Sequence, residues 1–594
     1  MRQFFAYVRA ETSEILASHG NALEYCRGLL TEDGIDSLPE GVVDFFEAAE
    51  PDERNYAIAS AYALLIGEKR RHALSAYFTP PVLARAVIEA CAPVLAERKE
   101  PTVLDPACGG GSFLTPIARH LITKAIKAGV SVDEACRSAL KSVRGIELDA
   151  GLAALSQALL RNTLASEYGF TVKGPLGLVR CADALGERFG EGFDLIVGNP
   201  PYSKIGRAGV TGELKEAGLA NIGGHTNLYA LFLLKSLGWL KPGGGLVFVL
   251  PTSFVAGPHF AGLRQEVLRR AEVQRIDLHE QRENLFLGAV QDICLLSLRR
   301  RLKDVTSAAA EHSYDLGVID AGGARRAAGT AAAKAGGEPW TLPVANEVKA
   351  FVPRDAKNAG AKAFTLEDYG YRIRVGKVVP TRERAQLHKK RAKGDFPLLW
   401  ASAIRPDGGF DFNASAKMDN AQWYAPLDPA TVRYNTVRPA VIVQRTSNRD
   451  QARRLNAAAV PLAFRKKHRK GFVAENHVIV LESLTAKPRV APTKTAALLN
   501  AAVVNERFQT VCGSFSVSAK LLERLALPDP SLISKLKAEG REHALRRLFA
   551  PLDEVLAPPL QPARDAQNSV DQPRHLKRGV AFDQNPRLKR RAVA

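Results

Sequence analysis

The chain has 594 residues, of which 46% are hydrophobic and 24% charged, and it carries a formal charge of +20. This composition is typical of a globular protein, and the length accommodates roughly three to four domains with packed cores. The strongly basic balance indicates a polyanionic partner.

Cysteine usage and the apolar runs exclude several classes of protein. The seven cysteines are scattered and form no C-x-x-C pair, which argues against a disulfide framework and a zinc site, so we expect no metal. The N-terminal apolar run is too short for a signal peptide, and no stretch approaches the ~18 apolar residues of a membrane span. We expect a cytoplasmic protein with no membrane contact.

The positive charge is concentrated in the C-terminal half of the chain. Segments 372–394 and 445–470 each hold nine lysines and arginines against one acid, and segment 561–594 holds eight against three. The rest of the chain is close to neutral. This distribution predicts a neutral catalytic body with basic patches attached to it.

The N-terminal region reads as helical. Apolar residues recur at helical spacing over 1–70 and predict a helical cap that covers and braces the next domain. The sequence YFTPP at 77–81 predicts the start of the following helix, with Thr79 as its N-cap and Pro80 at its first helical position.

Three successive predicted strands each end near an acid: Asp105, Glu147 and Asp183. Ligands of open α/β sheets bind at the carboxyl ends of strands, where Glu147 can hold two ribose hydroxyls and Asp183 an adenine amino group. The glycines at 109–111, which follow Asp105, allow the backbone to approach a ligand closely. They form neither a P-loop nor a standard dinucleotide motif, because no GK[ST] follows and Leu114 occupies the third glycine position.

The stretch FDLIVGNPPY, residues 193–202, predicts a buried strand that leads into a rigid bend. Pro200 and Pro201 lack an N–H group, so neither can extend a strand ladder or a helix. The bend presents the Asn199 amide, main-chain carbonyls and the Tyr202 ring. This set can accept two hydrogen bonds from an NH2 group and stack on a flat ring, which suits the exocyclic amine of a nucleobase.

In their order along the chain, YFTPP, DPACGGGSF, GIELD, CADAL and GNPPY resemble the motif series of S-adenosylmethionine-dependent amino-group DNA methyltransferases. More narrowly they resemble the gamma class of adenine-N6 enzymes. The match covers about residues 75–300. The resemblance implies an α/β fold, with a Rossmann-like doubly wound methyltransferase sheet, an N-terminal helical cap and a C-terminal α+β target-recognition domain.

The resemblance also assigns roles to individual residues. Glu147 would bind the ribose and Asp183 the adenine amino group of S-adenosyl-L-methionine. Asn199 and the carbonyl of Pro200 would hold the target amine, while Tyr202 stacks on the target base beside Pro201. The remaining cofactor-binding residues would be Tyr77, Thr79, Asp105, Ala107, Cys108, Gly109, Gly111 and Ala184.

The chemistry follows from the bend. An aryl amine is a poor nucleophile, and accepting both of its hydrogens restores a directed lone pair, so positioning and electrostatics supply most of the rate. The base must be flipped out of the duplex to be reached. Cytosine-C5 methylation needs an attacking cysteine, and Cys108 lies in the glycine-rich loop instead.

Several alternatives remain open. We expect adenine-N6 methylation of specific DNA sites, in restriction–modification or phage defence, because Asn199 replaces the serine common in cytosine-N4 enzymes. Cytosine-N4 methylation is the close rival. Methylation of RNA or of a protein glutamine fits the large basic C-terminal region less well. A catalytically silent DNA-binding specificity subunit is the alternative from a different class.

The expected domains are 1–70, 71–300, a connector at 301–354, a recognition domain at 355–550 and a basic, disordered tail at 551–594. The expected partners are double-stranded DNA and a cognate restriction endonuclease encoded separately. The polar segment 203–226 is either a loop that closes over DNA or an ordinary surface loop. In the first case, Lys204 and Arg207 are candidate phosphate contacts. The other candidate substrate contacts are Phe286, as a second stacking face or a core residue, and Arg445 and Arg449.

Overall fold

The computed structural model describes residues 1–190, 192–205, 226–280, 285–287, 292–305, 311–334, 336–343, 364–427, 435–446, 453–509, 517–536 and 541–556. Residues Met1–Leu556 form one compact unit. A second unit, Ala557–Ala594, lies outside the described residues with most of the predicted tail. Among the helices described, none combines the length and the apolar character that crossing a membrane would require.

The N-terminal bundle, as we call residues 2–74, consists of seven helices. Their common core is formed by aromatic and aliphatic side chains that also pack on Leu155 and Leu159 of the helix Ala150–Tyr168. Glu50 and Glu53 form a capping box at the start of the longest of these helices. The seven helices are Arg2–Ala10, Thr12–His19, Ala22–Gly28, Glu32–Asp36, Glu40–Ala48, Pro51–Leu65 and Glu68–Leu74.

A nine-stranded sheet follows, in the order β11-β10-β8-β9-β7-β4-β1-β2-β3. Strands β3, β2, β1, β4 and β7 are mutually parallel, and β9 is antiparallel to both of its neighbours. The strands are β1 Val103–Asp105, β2 Val143–Glu147, β3 Val179–Cys181, β4 Phe193–Gly198, β5 Lys204–Ile205, β6 Thr226–Asn227, β7 Leu240–Pro251, β8 Ala271–His279, β9 Ile293–Arg300, β10 His312–Ile319 and β11 Arg325–Ala333. Of these, β5 and β6 form a separate two-stranded ribbon.

Both faces of the large sheet are covered by helices. Successive side chains of a strand point to opposite faces, and in β4 Ile196 joins one apolar core while Leu195 and Val197 join the other. This explains why β4 is a continuous apolar run rather than an alternating one. The covering helices are Pro81–Ala96, Leu114–Lys127, Val132–Ser142, Ala150–Tyr168, Leu228–Trp239, Ser253–Ala256 and Ala261–Arg270, with a 3-10 turn at Pro258–Phe260.

The sequence predicted a connector at 301–354, but residues 312–333 of this segment belong to the sheet. Strand β10 pairs in parallel with β8, and β11 pairs antiparallel with β10 at the sheet edge. Tyr314 and Leu316 of β10 are buried in the core. The alanine- and glycine-rich β11 has few side chains to pack, so its pairing rests on backbone hydrogen bonds that composition does not reveal. The sheet therefore extends to Ala333.

The C-terminal region contains two four-stranded sheets, β12-β19-β16-β17 and β13-β15-β14-β18. Their strands are β12 Tyr371–Val375, β13 Leu387–His388, β14 Phe396–Leu399, β15 Trp423–Tyr424, β16 Ala440–Gln444, β17 Ala457–Ala459, β18 Val473–Ala474 and β19 Val478–Ser483. The helices are Ala414–Lys417, Leu462–Lys467, Pro492–Leu499, Ala502–Gln509, Ala519–Glu523, Pro530–Lys535 and Arg541–Leu556, with 3-10 turns at Arg384–Gln386 and Ala401–Ala403. This mixture of sheets and helices is an α+β arrangement.

Packing of β10 into the sheet predicts a stability effect. Leu316 is buried, so Leu316→Ala should destabilise the protein by about 2–4 kcal/mol through lost burial and a residual cavity. Leu302→Ala is the matched control, because Leu302 is 78% exposed. Thermal melting of both variants measures the difference. Equal melting temperatures would show that β10 contributes no more to the core than a connector would.

Candidate active site

Four polar side chains lie at the carboxyl ends of four adjacent parallel strands. Asp105 ends β1, Glu147 ends β2, Asp183 follows β3 and Asn199 follows β4. The strand order β4-β1-β2-β3 places these ends side by side along one edge of the sheet. Neighbouring strands are about 4.8 Å apart, so the four residues line one continuous rim.

Asp105 is fully buried beneath the bend. Its Oδ1 accepts a hydrogen bond from the Ala107 N–H at 3.1 Å, while its buried Oδ2 has no hydrogen-bond partner among the described residues. Burial, assisted by the nearby Glu147 carboxylate and opposed by the Ala107 N–H, raises the pKa of this carboxyl to about 8. A Cβ at Gly198 would lie 3.0 Å from Asp105 Oδ1. The bend can therefore lie this close to Asp105 because residue 198 is a glycine.

Glu147 joins β2 to the glycine-rich loop. Its Oε2 accepts from the Gly109 N–H and its Oε1 from the Asp149 N–H, both at 2.9 Å. The side chain is mostly buried, and burial raises its pKa against the opposing effect of these N–H donors. Each carboxylate oxygen keeps a further acceptor position. The residue can thus hold the loop and still accept hydroxyl donors.

The glycine-rich loop is packed against protein as well as facing the rim. Gly109 has a φ of 51° and Gly111 a φ of 79°, which favour glycine at both positions. A Cβ at Gly109 would lie 2.8 Å from the Phe78 ring, and one at Gly110 would lie 2.3 Å from the Ala59 Cβ. The sequence predicted close approach to a ligand. The structure adds close approach to the N-terminal bundle as a separate reason for glycine.

Cys108 and Ala107 begin the loop. Cys108 is buried, and burial raises the pKa of its thiol well above the ordinary value. A thiol held neutral is a poor nucleophile, which agrees with the exclusion of cytosine-C5 chemistry. Ala107 is half-buried and donates its N–H to Asp105.

The Asn199 amide is held at both ends. Its Oδ1 accepts from the Tyr202 hydroxyl at 2.5 Å, and its Nδ2 donates to the Thr79 Oγ1 at 3.1 Å. The Tyr202 hydroxyl also lies 3.2 Å from the Val249 carbonyl, and burial raises its pKa well above the ordinary value. The amide oxygen retains one acceptor position. Pro200 is buried and Pro201 half-buried.

Thr79 is not the helix N-cap that the sequence predicted. The helix begins at Pro81 with Pro80 as its N-cap and no side-chain capping bond. The Thr79 hydroxyl, 3% exposed, accepts from Asn199 instead of capping the helix. Two prolines at the helix start already remove N–H groups that would need a cap, which frees the hydroxyl for this contact.

The remaining cofactor candidates, Tyr77, Asp183 and Ala184, differ in their burial. Tyr77 is half-buried and its hydroxyl is 2.9 Å from His72 Nδ1. Asp183 is exposed, with Oδ1 accepting from the Leu185 N–H at 2.9 Å, and Ala184 is buried in the core. Sequence reasoning missed Leu148, an apolar side chain that is 61% exposed between two acids. Its position directly after a buried strand, within GIELD, was the available signal.

Of the candidate DNA contacts, the structure describes Phe286, Arg445 and Lys204. Phe286 is 4% exposed and packs in the core, so its ring offers no free face to a base, which corrects its selection as a stacking residue. Arg445 is half-buried, and its guanidinium donates to the Asn476 carbonyl at 2.9 Å. Lys204 is exposed in the ribbon strand β5. Arg207 and Arg449 lie outside the described residues.

Comparison with known proteins gives a consistent set of relatives. Residues 157–286 match the family model of the Eco57I restriction-modification methylase. Type II methyltransferase M.BsuBI of Bacillus subtilis is 22% identical over 370 residues, covering 57% of this chain and 66% of the relative. Type II methyltransferase M.TthHB8I of Thermus thermophilus is 30% identical over 206 residues, covering 33% and 39%. The aligned region thus spans between two-fifths and two-thirds of these curated relatives.

Two solved structures of protein–DNA complexes are also similar. The DrdV–DNA complex matches at 13% identity and a TM-score of 0.46, covering 74% of this chain and 53% of that one. The type IIL enzyme MmeI in complex with DNA matches at 14% identity and a TM-score of 0.45, covering 82% and 72%.

The family match confirms the resemblance predicted from the motifs, while the gamma class stays a prediction. Residues 157–286 are thus similar to the Eco57I restriction-modification methylase, and the longer matches are to type II methyltransferases.

Proposed function

We propose that this chain is a site-specific DNA methyltransferase that moves a methyl group from S-adenosyl-L-methionine to the N6 amine of a flipped-out adenine. The observation that carries the proposal is the contact between the bend and the strand end beside it. Gly198 lies against the Asp105 carboxyl, and Asn199 follows directly. One rim thus has a carboxylate side that suits a cofactor and an amide side that suits a target amine.

The rim residues fit S-adenosyl-L-methionine. The buried Asp105 Oδ2, which has no partner among the described residues, is a polar atom available to hydrogen-bond the cofactor. Glu147 keeps acceptor positions for ribose hydroxyls, Leu148 offers an exposed apolar face, and Asp183 is exposed at the far end. When bound, the cofactor supplies an electrophilic methyl group on a sulfonium sulfur.

Asn199 and Pro200 prepare the target amine. The free acceptor position of Asn199 Oδ1 and the Pro200 carbonyl accept the two amine hydrogens, which localises the nitrogen lone pair. The hydroxyls of Thr79 and Tyr202 hold the amide in place beforehand, so little reorganisation is needed during the reaction. Asn199 is neutral and takes no proton. The proton therefore leaves the amine for water after the methyl group has been transferred.

The phosphate surface of the proposal lies in the two basic runs of the C-terminal region, 372–394 and 445–470. Arg391 lies over the Trp423 ring with its guanidinium 5.1 Å from the centroid, and the Trp423 and His468 rings are 5.7 Å apart. Strand β15, which holds Trp423, therefore brings the two basic runs of the C-terminal region together. We name the eight exposed cations of the segments 389–393 and 466–470 the basic surface: Lys389, Lys390, Arg391, Lys393, Lys466, Lys467, Arg469 and Lys470.

The surroundings of the basic surface support a polyanion as its partner. Burial lowers the pKa of His468, and the positive charges of Arg391 and Lys467 lower it further, so both cations lie close to one ring. Lys389 pairs with the exposed Asp419 at 2.5 Å. Phosphate contacts of this kind give affinity and position the duplex, while base contacts carry specificity.

Methylation-aware sequencing of DNA from cells that express the chain tests the proposal as a whole. The expected result is N6-methyladenine at one recurrent sequence. N4-methylcytosine at a recurrent sequence would instead support the rival chemistry, and unmodified DNA would overturn the assignment as a methyltransferase.

Removing the amide of Asn199 should separate catalysis from binding. Asn199→Ala should lower kcat by roughly 100- to 1000-fold, the usual cost of losing one preorganised polar group at the reacting centre. Affinities for DNA and S-adenosyl-L-methionine should stay within a few-fold, measured by titration. Thr79→Val, which removes only the acceptor for Asn199 Nδ2, should give an intermediate loss. Full activity of Asn199→Ala would contradict the proposed role.

The buried Asp105 carboxyl should make stability depend on pH. Its folded pKa of about 8 lies above the unfolded value near 4, so the folded state binds the proton more tightly. Its stability contribution is present below pH ~4 and is lost as pH rises toward 8. Asp105→Asn cannot ionise and, without cofactor, should melt near the wild-type temperature at pH 4 and increasingly above it as the pH rises to 8. Parallel pH dependence of both proteins would contradict this.

The basic surface should govern the salt dependence of DNA binding. Replacing Lys466, Lys467 and Lys470 by alanine should weaken binding to all sequences and reduce the slope of log affinity against log salt by about 2–3, close to one per phosphate contact. The matched control replaces Lys99, Lys127 and Lys141, which are also exposed. Fluorescence anisotropy at several salt concentrations measures both slopes. Equal slopes would exclude this surface from the DNA interface.

A further inference from the structure

A chain of hydrogen bonds connects the N-terminal bundle to the rim. The Tyr62 hydroxyl donates to Asp149 Oδ1 and the Arg70 guanidinium to Oδ2, both at 2.6 Å. The Asp149 side chain is 1% exposed, whereas that of Arg70 is 60% exposed. A buried carboxylate is costly unless it is paired and hydrogen-bonded. The buried Asp149 carboxylate therefore depends on its hydrogen bonds with both bundle residues, Tyr62 and Arg70.

The second link runs from Asp149 to Glu147. Asp149 Oδ1 also accepts the Leu152 N–H at 3.0 Å, which caps the helix Ala150–Tyr168. The Asp149 N–H in turn donates to Glu147 Oε1 at 2.9 Å. Since the Gly109 N–H holds Oε2 at the same distance, the orientation of the Glu147 carboxylate depends on where Asp149 is fixed.

Packing reinforces the same connection. A Cβ at Gly151 would lie 2.0 Å from the Tyr62 hydroxyl, so the ring is pressed against the start of the capped helix. Ala59, on the same helix as Tyr62, lies against Gly110 of the glycine-rich loop. The helix Pro51–Leu65 thus contacts both segments whose backbone N–H groups bind Glu147.

The Asp149 carboxylate is stabilised as an anion in this arrangement. Burial alone raises its pKa, but the Tyr62 hydroxyl, the Leu152 N–H and the Arg70 guanidinium together bring the pKa below its ordinary value. The anion attracts Arg70 and Tyr62 at neutral pH, which keeps the bundle docked on the segment 147–151.

We propose that Tyr62 and Arg70 are positioning residues for the cofactor, which act through Asp149 to orient Glu147, and that the N-terminal bundle is a working part of the cofactor site. This rests on the proposed function only in taking Glu147 as the ribose-binding group. The bundle then sets the affinity for the nucleoside part of S-adenosyl-L-methionine. It leaves the amine-binding bend unaffected, because none of these contacts involves Asn199.

Calorimetric titration of the full chain with S-adenosyl-L-methionine tests the inference. Tyr62→Phe and Arg70→Ala should each raise the Kd roughly three- to tenfold, the usual net contribution of one hydrogen bond, because both residues act on Glu147 only through Asp149. The KM for the cofactor should rise in parallel, with kcat at saturation and DNA affinity unchanged. Arg70→Lys should restore part of the affinity, because it keeps the charge without the planar fork.

Two variants in the same bundle serve as matched controls. Tyr25→Phe removes a buried hydroxyl that has no partner among the described residues, and Arg27→Ala removes an exposed arginine that pairs with Glu24 at 2.9 Å. Neither should change the Kd. Melting temperatures of all variants, measured alongside, distinguish a general loss of stability from a specific loss of cofactor affinity.

The outcomes separate the inference from the function on which it rests. A wild-type chain that binds no S-adenosyl-L-methionine would overturn the proposed function, and this inference with it. A wild-type chain that binds the cofactor, with Tyr62→Phe and Arg70→Ala binding equally well, would overturn the inference alone. A raised Kd with an unchanged melting temperature supports the positioning role.

Discussion

Parallel pairing of β4, β1, β2 and β3 is the constraint on which the candidate site depends. Because the four strands run in the same direction and lie side by side, the residues that follow them collect on one edge of the sheet. Gly198 lets the bend approach the Asp105 carboxyl, since any side chain there would meet it at 3.0 Å. A carboxylate rim and an amide corner thereby become neighbours although Asp105 and Asn199 are far apart in sequence.

The same close packing explains why the pKa of an acid at the site is displaced from its ordinary value. A carboxyl buried as completely as Asp105 favours its neutral form, and Glu147 nearby adds to that preference. Asn199 is the opposite case, because hydroxyls hold both of its polar ends before any substrate arrives. Asp105 has an oxygen without a hydrogen-bond partner among the described residues, whereas the Asn199 amide is hydrogen-bonded at both ends. This pattern is expected where an acid binds a ligand and a neighbouring amide must stay rigid. Functional sites commonly keep such features at some cost in stability.

Sequence reasoning reached the local features and missed the distant ones. Strand ends, the glycine-rich loop and the proline bend could be predicted because each is written in a short run of residues. The pairing of β11 could not, since RRAAGTAAA carries little strand preference. The Thr79–Asn199 contact spans 120 residues and the Tyr62–Asp149 contact 87. Phe286 was left open between a stacking face and a core residue, because an aromatic residue looks the same in sequence whether it packs inward or faces a ligand, and the structure buries it in the core.

Arg264 connects the loop that follows β7 with the segment 336–343, which contacts the C-terminal region. It is 1% exposed, and its guanidinium donates to the carbonyls of Phe254 and Gly257 after β7 and of Gly337 and Glu338. The Glu338 carboxylate then pairs with Arg524 of the C-terminal region at 2.5 Å. Five planar donors can bind several carbonyls at once in a fixed geometry, so the loop after β7 and the strand-free segment 336–343 are held as one piece. Through Glu338 and Arg524, Arg264 thereby connects the loop after β7 with the C-terminal region among the residues that the structure describes.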